Sequence, residues 1–477
     1  MARTFKRGLK LSTRKHATEG KPVELAPCPR QVVIPVNQHF GAPNICLVKA
    51  GDTVRRGQKI AEGASPGPMT VPVHASISGV VKKIETRTQA NNTEGLCVVI
   101  EAGDTAADTL ETEYMPPLDP FSCSKEDALT RIREAGILGM GGAGFPSHVK
   151  LSPPPHKPID IIIADGAECE PYLTTDEAVM TEKPHLLIRG LTIVMEITGV
   201  KKAIVGMEDN KKNLIPLIER EIRLNERAKD GTLDISVGLC RTLYPQGGEK
   251  MLITALTGRE VPSGGLPMDA GCIVQNVGTL IAIAEAFTLG KPLIDRDLTV
   301  SGGACRTPKN IRAPIGALLS ELPAEFLDID RERLAKILFG GPMMGNAVPH
   351  LDIPVQKNTS GVILMTSGET LALAEGPCIR CGRCIRNCPC RLSPVIMNNS
   401  LESDDLDYAV TAGLLDCIEC GSCTYVCPAR IKLVQRFRVG KQRLRARQAL
   451  EKAAVQQAAR QNAPQGAGTP PGQGQPN

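Results

Sequence analysis

Two runs of cysteine near the C-terminus constrain this chain more than any other feature of its sequence. Eight of its 17 cysteines fall there, four in Cys378–Cys388 and four in Cys417–Cys427. In each run three cysteines are separated by two residues, and a fourth follows after three more residues and precedes a proline, Pro389 or Pro428. Cysteines packed this closely are typical of metal ligands rather than of disulfides.

The spacing matches the C-x2-C-x2-C-x3-C-P pattern of chains that carry two [4Fe-4S] clusters. Three thiolates two residues apart can wrap one face of a cubane, whereas the fourth, at a helix start before proline, points away from them. We therefore predict that each fourth cysteine completes the other cluster. The predicted ligand sets are Cys378, Cys381, Cys384 and Cys427 for the first cluster and Cys388, Cys417, Cys420 and Cys423 for the second.

Zinc is the alternative occupant of these cysteines, because its structural sites also use cysteine pairs two residues apart. Zinc takes four ligands, usually as two pairs, whereas each run here has three closely spaced cysteines and a fourth before a proline. The spacing therefore favours iron–sulfur clusters over zinc. Cys390, beside Cys388, is expected to be a structural thiol, as are scattered cysteines such as Cys28, Cys97 and Cys240.

Charge and hydropathy argue against two broad classes of function. The formal net charge of +5 is small for 477 residues, so we expect no nucleic-acid partner. No stretch approaches the roughly 18 consecutive apolar residues of a membrane span, and the N-terminus lacks the apolar core of a secretory signal. We expect a chain that is cytosolic or peripheral to a membrane. The N-terminal basic residues are expected to form a flexible, solvated arm and are Arg3, Lys6, Arg7, Lys10, Arg14 and Lys15.

The rest of the chain shows a change of pattern along its length. Short apolar runs separated by turn signals from about residue 30 to 101 predict a small β sandwich or barrel. Between about 125 and 290, strand-like and helix-like pieces alternate, for example the strand Ile159–Ala164 and the helices Pro184–Thr198 and Lys211–Lys229. This alternation predicts an α/β layer with a largely parallel sheet. A β-rich piece follows, then the cysteine-rich helical unit. Past Gln456 the composition predicts disorder.

Two loops of the α/β region carry groups suited to a nucleotide. The glycine-rich loop Gly139–Pro146 allows backbone N–H groups to approach a phosphate closely, although such loops often serve only as turns. The acidic loop Asp165–Pro171 follows a buried strand, at the strand end where open α/β sheets bind ligands. A solvated turn would have the same composition, so both interpretations remain open at this point.

Taken together, these loops resemble the flavin-binding subunit of respiratory NADH dehydrogenase. That family has a G-x-G-G-A-G-F-P loop, an acidic E-x-E-P loop and a later Y-x-x-G-x-E segment, and all three occur here in order. The resemblance implies nicotinamide-side positions at Phe145, Lys150, Glu170 and Glu249. It implies flavin-side positions at Gly141, Gly142, Asp165, Tyr244, Gly247, Asn276 and Thr279. The remaining predicted cofactor-binding residues of the two loops are Gly139, Ala143, Gly144 and Glu168.

The chain departs from the respiratory pattern at three positions. The double glutamate of that family is Gly248–Glu249 here, its paired asparagines are Gln275–Asn276, and the aromatic residue after the lysine is Leu151.

Longer motifs carry a closer resemblance to the RnfC family, the C subunits of Rnf-type ion-translocating NAD:ferredoxin oxidoreductases, over about residues 5 to 445. Besides both cysteine runs, they are Phe5–Gly8, Asn37–Pro43, His74–Gly79, Gly166–Thr174, Tyr244–Lys250, Gly258–Pro267 and Phe339–Gly345. Asp165 and Ser147 stand where that family usually has asparagine and threonine. A negative charge on Asp165 near the flavin is expected to lower the flavin potential.

The resemblance implies a multidomain α+β chain of four folded parts. The first is a β barrel-sandwich hybrid over residues 1–115, in which Val48–Ile60 and His74–Val81 resemble the halves of a biotinyl or lipoyl hammerhead without the attachment lysine. An α/β FMN- and NADH-binding domain over 116–290, a β-grasp domain over 291–371 and an α-helical bis-[4Fe-4S] ferredoxin-type domain over 372–440 follow. Residues 441–477 are expected to form a basic helix and a disordered tail.

The resemblance also implies a function. FMN, NAD(H) and two [4Fe-4S] clusters would be the cofactors, with NADH placed against Phe145 and its phosphates or ribose held by Lys150 and Glu170. The implied partners are membrane subunits of the same complex, which exchange electrons with ferredoxin, at the cytoplasmic face of the cell membrane. A soluble flavin and iron–sulfur reductase similar to corrin reductase, and a non-catalytic electron-wire subunit, are the alternatives.

The basic segment Ile431–Arg447 has two interpretations. Its charges suit anionic lipid or partner subunits. Leu433, Phe437 and Leu444 at roughly helical spacing are equally suited to pack one apolar stripe onto the cluster domain.

Overall fold

The computed structural model describes residues 2–64, 67, 69–103, 112–229, 231–370 and 374–461. The chain divides into two compact units, Met1–Ala374 and Glu375–Asn477. The predicted disordered tail lies outside the described residues from 462 onward, and its first residues belong to a helix that ends at Gln461.

The first unit begins with eight strands, and seven of them form an all-β region. They are β1 (Val23–Leu25), β2 (Gln31–Pro35), β3 (Asn44–Cys46), β4 (Thr53–Val54), β5 (Lys59–Gly63), β6 (Val73–His74), β7 (Gly79–Thr88) and β8 (Glu94–Ala102). Two antiparallel sheets result, of order β2-β8-β7-β4 and β3-β5-β6. Ile34, Ile60 and Ile100 are fully buried in their core, so the predicted β sandwich is confirmed.

A parallel four-stranded sheet with helices follows, as the alternating pattern predicted. Its strands are β9 (Ile161–Gly166), β10 (Lys202–Glu208), β11 (Asp234–Cys240) and β12 (Cys272–Asn276). Its helices are α1 (Lys125–Glu134), α2 (Ser147–Lys150), α3 (Thr175–Glu182), α4 (Pro184–Thr198), α5 (Ile215–Leu224), α6 (Glu226–Lys229), α7 (Glu249–Thr257) and α8 (Val277–Thr288). The order β11-β10-β9-β12 runs outward on both sides of β9, which creates a switch point between β9 and β12.

The third sheet is mixed, with the order β1-β14-β13-β17-β15-β16. Its later strands are β13 (Asp295–Ser301), β14 (Lys309–Pro314), β15 (Leu334–Phe339), β16 (Asn346–Val348) and β17 (Gly361–Thr366). The described residues between 291 and 370 contain short 3-10 turns and no α-helix. The β-grasp label and the predicted domain boundaries stay predictions.

The N-terminal segment is not the flexible arm that its charges predicted, although its basic residues other than Lys15 are exposed. Arg3 forms a β-bridge with Cys240, Leu9 forms one with Tyr244, and β1 pairs in parallel with β14. Lys15 is only 2% exposed, and its ammonium donates to the carbonyls of Glu168 and Leu173, each at 2.6 Å. For Lys15 the prediction was wrong because the carbonyls that accept from its ammonium lie more than 150 residues away in sequence.

The second unit is helical and small. Its helices are α9 (Arg383–Arg386), α10 (Pro394–Glu402), α11 (Leu406–Thr411), α12 (Ser422–Tyr425) and α13 (Leu433–Gln461). Leu433, Phe437 and Leu444 of α13 are buried, which favours the packed-stripe interpretation of the basic segment. Most basic residues of α13 are paired with carboxylates of the same unit: Arg436 with Glu375 and Glu402, Arg438 and Lys441 with Glu419, Arg443 with Asp404, and Arg447 with Asp407.

None of the helices in the described part of the chain is long and apolar enough to cross a bilayer.

Candidate functional site

The glycine-rich loop lies beside the switch point of the parallel sheet. Leu138 and Pro146 form a β-bridge that closes the loop, and the Gly139 N–H donates to the Phe145 carbonyl at 2.9 Å. The Met140 N–H donates to Thr279 Oγ1 at 3.0 Å, which fixes the loop to the first turn of α8. The predicted loop residues are therefore brought to the carboxyl end of β12.

The glycines of this loop differ in how much free space surrounds them. A Cβ built on Gly141 would lie 3.1 Å from Asn276 Cβ, so this glycine allows the loop to approach the strand end. A Cβ built on Gly142 would meet no protein atom within 4 Å. Gly141, Gly142 and Ala143 are exposed, whereas Gly144 is buried and its carbonyl accepts from the Phe40 N–H. Exposed backbone N–H groups of such a loop are the kind of donor that a phosphate accepts from.

Phe145 closes the loop on its outer side. Its ring stacks on Phe40 at a centroid distance of 6.2 Å and an interplanar angle of 24°. The predicted nicotinamide-side aromatic is thus held by a residue of the N-terminal β region.

Asn276 contacts one carboxyl group and one backbone carbonyl at the switch point. Its Oδ1 accepts from the Gly278 N–H at 2.9 Å and caps α8. Its Nδ2 donates to Asp176 Oδ2 at 3.0 Å and lies 3.5 Å from the Asp165 carbonyl oxygen. Asp176 was not among the predicted site residues, and no motif marked it.

The pKa of Asp165 differs from what the sequence suggested. Burial, and then the nearby Asp176, raise its pKa well above the usual value, although the Ala167 N–H donates to it. A carboxyl group with a raised pKa carries less negative charge at a given pH. The structure therefore works against the expected lowering of the flavin potential by Asp165.

Lys150 and Glu249 meet near the carboxyl end of β12. Lys150 Nζ lies 2.8 Å from the Val274 carbonyl and 3.4 Å from Glu249 Oε2. Glu249 stands in the first turn of α7, where the helix dipole favours a negative charge. These two predicted residues are brought together, and both side chains are partly exposed.

The Tyr244–Glu249 segment is pressed against the acidic loop. A Cβ on Gly247 would lie 2.0 Å from the Ala167 carbonyl oxygen, so only glycine permits this approach. Tyr244 is buried and pairs through its backbone with Leu9.

Glu170 clamps a turn of the third sheet. Its carboxylate accepts from the Met343 N–H at 3.0 Å and the Met344 N–H at 2.9 Å. Burial raises the pKa of Glu170 to about 7, although these two N–H groups favour its ionised form. The group therefore changes charge close to neutral pH.

Glu168 has partners of a different kind from the other predicted residues. Its side chain is buried, with Oε2 3.6 Å from Lys15 Nζ and 3.7 Å from Lys211 Nζ. Its Oε1 accepts from the Asp176 N–H at 3.0 Å. Ion pairing inside the protein engages this carboxylate, so it is a poor candidate for direct contact with a cofactor. Sequence reasoning missed both lysines, because neither belongs to a motif.

The eight cysteines of the two runs line two separate cavities in the second unit. A cavity of about 300 Å³ is lined by Cys378, Cys381, Cys384 and Cys427. A second, smaller cavity is lined by Cys388, Cys417, Cys420 and Cys423, together with Cys390. Each cavity collects three cysteines of one run and the fourth of the other, which is the crossed arrangement predicted from the spacing.

Local geometry explains how three cysteines of one run face one cavity. Gly382 and Gly421 adopt positive φ angles of 69° and 76° directly after the second cysteine of each run, which turns the chain so that the third cysteine faces inward. N–H groups also point at sulfur: that of Glu419 lies 3.4 Å from Cys417 Sγ, and that of Leu392 lies 3.4 Å from Cys388 Sγ.

The donor set fits iron–sulfur clusters. Four thiols line each cavity, and in the second cavity two N–H groups point at sulfur; these are the surroundings that iron–sulfur clusters use.

Three family models match parts of the chain. Family models match the RnfC barrel sandwich hybrid domain over residues 3–105, the Nuo51 FMN-binding domain over 132–285 and the 4Fe-4S dicluster domain over 372–428. The chain is 44% identical over 398 residues to the C subunit of the proton-translocating ferredoxin:NAD(+) oxidoreductase complex of Clostridium ljungdahlii, covering 83% of this chain and 84% of that one.

Two further likenesses are weaker. The chain is 41% identical over 396 residues to the C subunit of the Na(+)-translocating ferredoxin:NAD(+) oxidoreductase complex of Acetobacterium woodii, covering 82% of this chain and 86% of that one. Among solved structures, the H2-reduced NAD+-reducing [NiFe]-hydrogenase superposes with a TM-score of 0.48 and 18% identity, covering 70% of this chain and 67% of that one.

Proposed function

Because this chain belongs to the family of C subunits of ion-translocating ferredoxin:NAD+ oxidoreductase complexes, we propose that its Gly139–Phe145 loop holds FMN for hydride exchange with NAD(H). The chain is an electron-transfer subunit of such an oxidoreductase complex, and its cofactors are FMN and two [4Fe-4S] clusters. When bound, FMN supplies the step between a two-electron hydride and single electrons, which clusters carry onward.

One observation carries the proposal for the loop. The backbone at Gly142 faces open space at the switch point of a parallel sheet, where open α/β folds bind ligands. The N–H groups of the loop are suited to bind a phosphate. Lys150 supplies a positive charge beside them and is oriented by the Val274 carbonyl. Phe145 offers an aromatic face for the nicotinamide.

Membership of this family also supports a proposal for the immediate partners and the location of the chain. We place it as a peripheral subunit on the cytoplasmic face of the cell membrane, bound to membrane subunits that exchange electrons with ferredoxin. The match of residues 3–105 to the RnfC barrel sandwich hybrid domain favours this function over a soluble corrin reductase-like enzyme.

Cofactor content tests the proposal directly. Anaerobically purified protein is expected to hold about eight iron atoms and one flavin per chain, and NADH is expected to bleach the flavin. Protein that holds iron but no flavin, and that does not respond to NADH, would support the alternative of a non-catalytic electron-wire subunit. Zinc in place of iron would contradict the cluster assignment.

Replacing Gly142 by alanine should weaken flavin binding and leave the fold intact. The added methyl group meets no protein atom within 4 Å and Gly142 does not need a positive φ, so the chain should fold normally. The methyl group would instead obstruct a ligand that approaches the loop, and we expect the flavin dissociation constant to rise about tenfold or more. Flavin content and fluorescence titration measure it.

Gly368→Ala is the matched control, since its added Cβ would meet only Thr366 Oγ1, at 4.0 Å. Both variants should keep about eight irons. Equal flavin affinity in Gly142→Ala and Gly368→Ala would show that the loop does not bind the flavin.

Glu170 should make nucleotide binding depend on pH near neutrality. With a pKa of about 7, the carboxyl group is mostly neutral at about pH 6 and mostly ionised at about pH 8. If it faces the phosphates of the nucleotide, its ionisation repels them, and we expect the affinity for ADP-ribose to fall up to about tenfold over this range. ADP-ribose is a suitable probe because its phosphates stay ionised and it transfers no hydride.

Calorimetric titration of Glu170→Gln should give the same affinity at both pH values. Glu226→Gln, an exposed change on α6, should keep the dependence of the unmodified protein. A pH dependence that survives in Glu170→Gln would place the nucleotide phosphates away from this residue.

A further inference from the structure

One face of the second unit combines exposed cluster ligands with apolar side chains. Cys378 is exposed, and the other three cysteines around the first cavity are partly exposed. In the second set, Cys388, Cys420 and Cys423 are all buried. Beside the first cavity, Ile379 is 66% exposed and lies between two of its cysteines in sequence. Of the two cluster sites, the first is therefore the one that a partner can approach closely.

Four arginines surround the same cavity. Arg380 and Arg383 line it directly. Arg386 reaches back over the loop, with its Nη1 3.2 Å from the position of a Cβ on Gly382, and Arg430 follows two further lining residues, Pro428 and Ala429. All four are exposed. Together with Ile379 they define a surface that we call the arginine face.

These four arginines have no acidic partner in the part of the second unit that the structure describes. Within residues 374–461, no carboxylate oxygen lies within 4.0 Å of Arg380, Arg383, Arg386 or Arg430. Five basic residues of α13, by contrast, are each paired with a carboxylate of the same unit. Positive charge is therefore concentrated where the cluster is exposed and is largely neutralised along the long helix.

We propose that the arginine face binds the acidic surface of a protein redox partner, so that the first cluster is the one from which electrons leave or reach the chain. Unpaired surface charge steers an oppositely charged partner and fixes its orientation, and the exposed Ile379 adds an apolar contact to that interface. An anionic lipid would match the charge but accepts no electron from a cluster. This inference rests on the proposed function, in which other subunits exchange electrons with this chain.

A cluster bound by these cysteines would supply single electrons. Its oxidation by one electron would be matched by reduction of the partner by one electron, and no covalent bond would form or break. The role of the arginines is to hold the two centres close together.

Rebinding to membranes tests the proposal. Membrane vesicles from a strain that lacks this subunit but keeps the rest of the complex are mixed with the purified full-length chain, and bound protein is measured by sedimentation. Protein-free vesicles of anionic phospholipid are the second probe. The test variant is Arg380→Glu/Arg383→Glu. The matched control is Arg445→Glu/Lys452→Glu, which makes the same change of charge at exposed residues of α13.

We expect the test variant to bind the complex-containing vesicles about tenfold or more weakly than the unmodified chain, and the control to bind within about twofold. Binding of the unmodified chain should weaken as salt rises from about 50 mM to about 300 mM. Both variants must retain their iron and their EPR signals. If the test variant does not, Arg386→Glu/Arg430→Glu, which changes the rim outside the cysteine run 378–384, replaces it.

The opposing outcomes are distinct. Equal binding by the arginine variants and the unmodified chain would overturn the proposal and leave the proposed function standing. If the unmodified chain bound protein-free anionic vesicles as strongly as complex-containing vesicles, the face would be assigned to lipid instead. Failure of the unmodified chain to bind complex-containing vesicles would contradict the proposed membrane association as well. A shifted cluster potential with unchanged binding would mean that the arginines act on the cluster alone.

Discussion

Cys427→Ala should destroy the cluster whose other ligands lie in the first cysteine run, even though Cys427 belongs to the second run. The cavity that Cys427 lines also holds Cys384, so Cys384→Ala should leave the same remaining cluster. Cys388→Ala and Cys423→Ala, which change the other cavity, should leave the opposite one. Each variant is expected to retain about four irons, because a cubane that lacks one of four thiolate ligands is labile.

EPR spectra of the four reduced variants give the measurement. The Cys427 and Cys384 variants should give the same spectrum. The Cys388 and Cys423 variants should share a second, different spectrum. Electron transfer from NADH to acceptors beyond the flavin should fall about a hundredfold or more in all four, since either loss interrupts the chain of carriers. Bleaching of the flavin by NADH should persist, because the cysteines lie outside the unit that holds the Gly139–Phe145 loop.

Cys390→Ala is the control within the same cavity. Cys390 lines the second cavity together with the four predicted ligands, and burial, followed by the neighbouring cysteines, raises the pKa of its thiol to about 12. Cys390 stands outside the C-x2-C-x2-C-x3-C-P spacing that supplies the eight predicted ligands, so about eight irons should remain. If the spectra instead paired Cys427 with Cys423, each fourth cysteine would belong to its own run and the crossed assignment would be wrong.

Local signals account for the parts of the fold that the sequence predicted correctly. The helix Pro184–Thr198 begins with proline in its first turn and ends before Gly199, which adopts φ = 72° as helix-terminating glycines do. The predicted helix from Lys211 to Lys229 is broken into a 3-10 turn, α5 and α6. The break between the two α-helices occurs because Asn225 adopts an extended backbone, a choice that periodicity does not report.

Long-range partners account for what could not be predicted. The position of β12 on the opposite side of β9 from β10 sets the switch point, and no periodic pattern encodes strand order. Glu168 was grouped with the cofactor loop because its neighbours in sequence suit a ligand. Its contacts with Lys15 and Lys211 come from segments far away in the chain, so its structural role becomes visible only in three dimensions.

Lys211→Met should destabilise the first unit more than any other single change of a charged residue considered above. Lys211 is fully buried, and its ammonium lies 3.7 Å from Glu168 Oε2. Burial alone would lower the pKa of Lys211, but Glu168, Glu208 and Glu177 raise it, so the lysine is charged in the folded protein. Removing a buried charge leaves its partners uncompensated, which typically costs about 3 to 5 kcal/mol.

The loss of stability in Lys211→Met should increase with pH. Burial already raises the pKa of Glu208 and Glu177, and Lys211 is the strongest influence that lowers them. Without Lys211 these pKa values rise further above their unfolded values, so the folded variant is favoured while the carboxyl groups are protonated and loses stability as pH rises through the folded pKa. The difference from the unmodified protein should therefore be larger at about pH 8 than at about pH 6.

Urea unfolding, monitored by flavin release, measures this difference. Lys202→Met is the matched control. Lys202 lies 4.0 Å from Asp234, and the two side chains are 52% and 67% exposed. Water screens such a pair, so the control should change stability by no more than about 0.5 kcal/mol at either pH. A Lys211 variant that unfolds within about 1 kcal/mol of the unmodified protein would mean that the glutamates find other partners. Buried charge beneath the acidic loop would then contribute little to holding that loop at the switch point, and the close packing of Gly247 against Ala167 would have to position it instead.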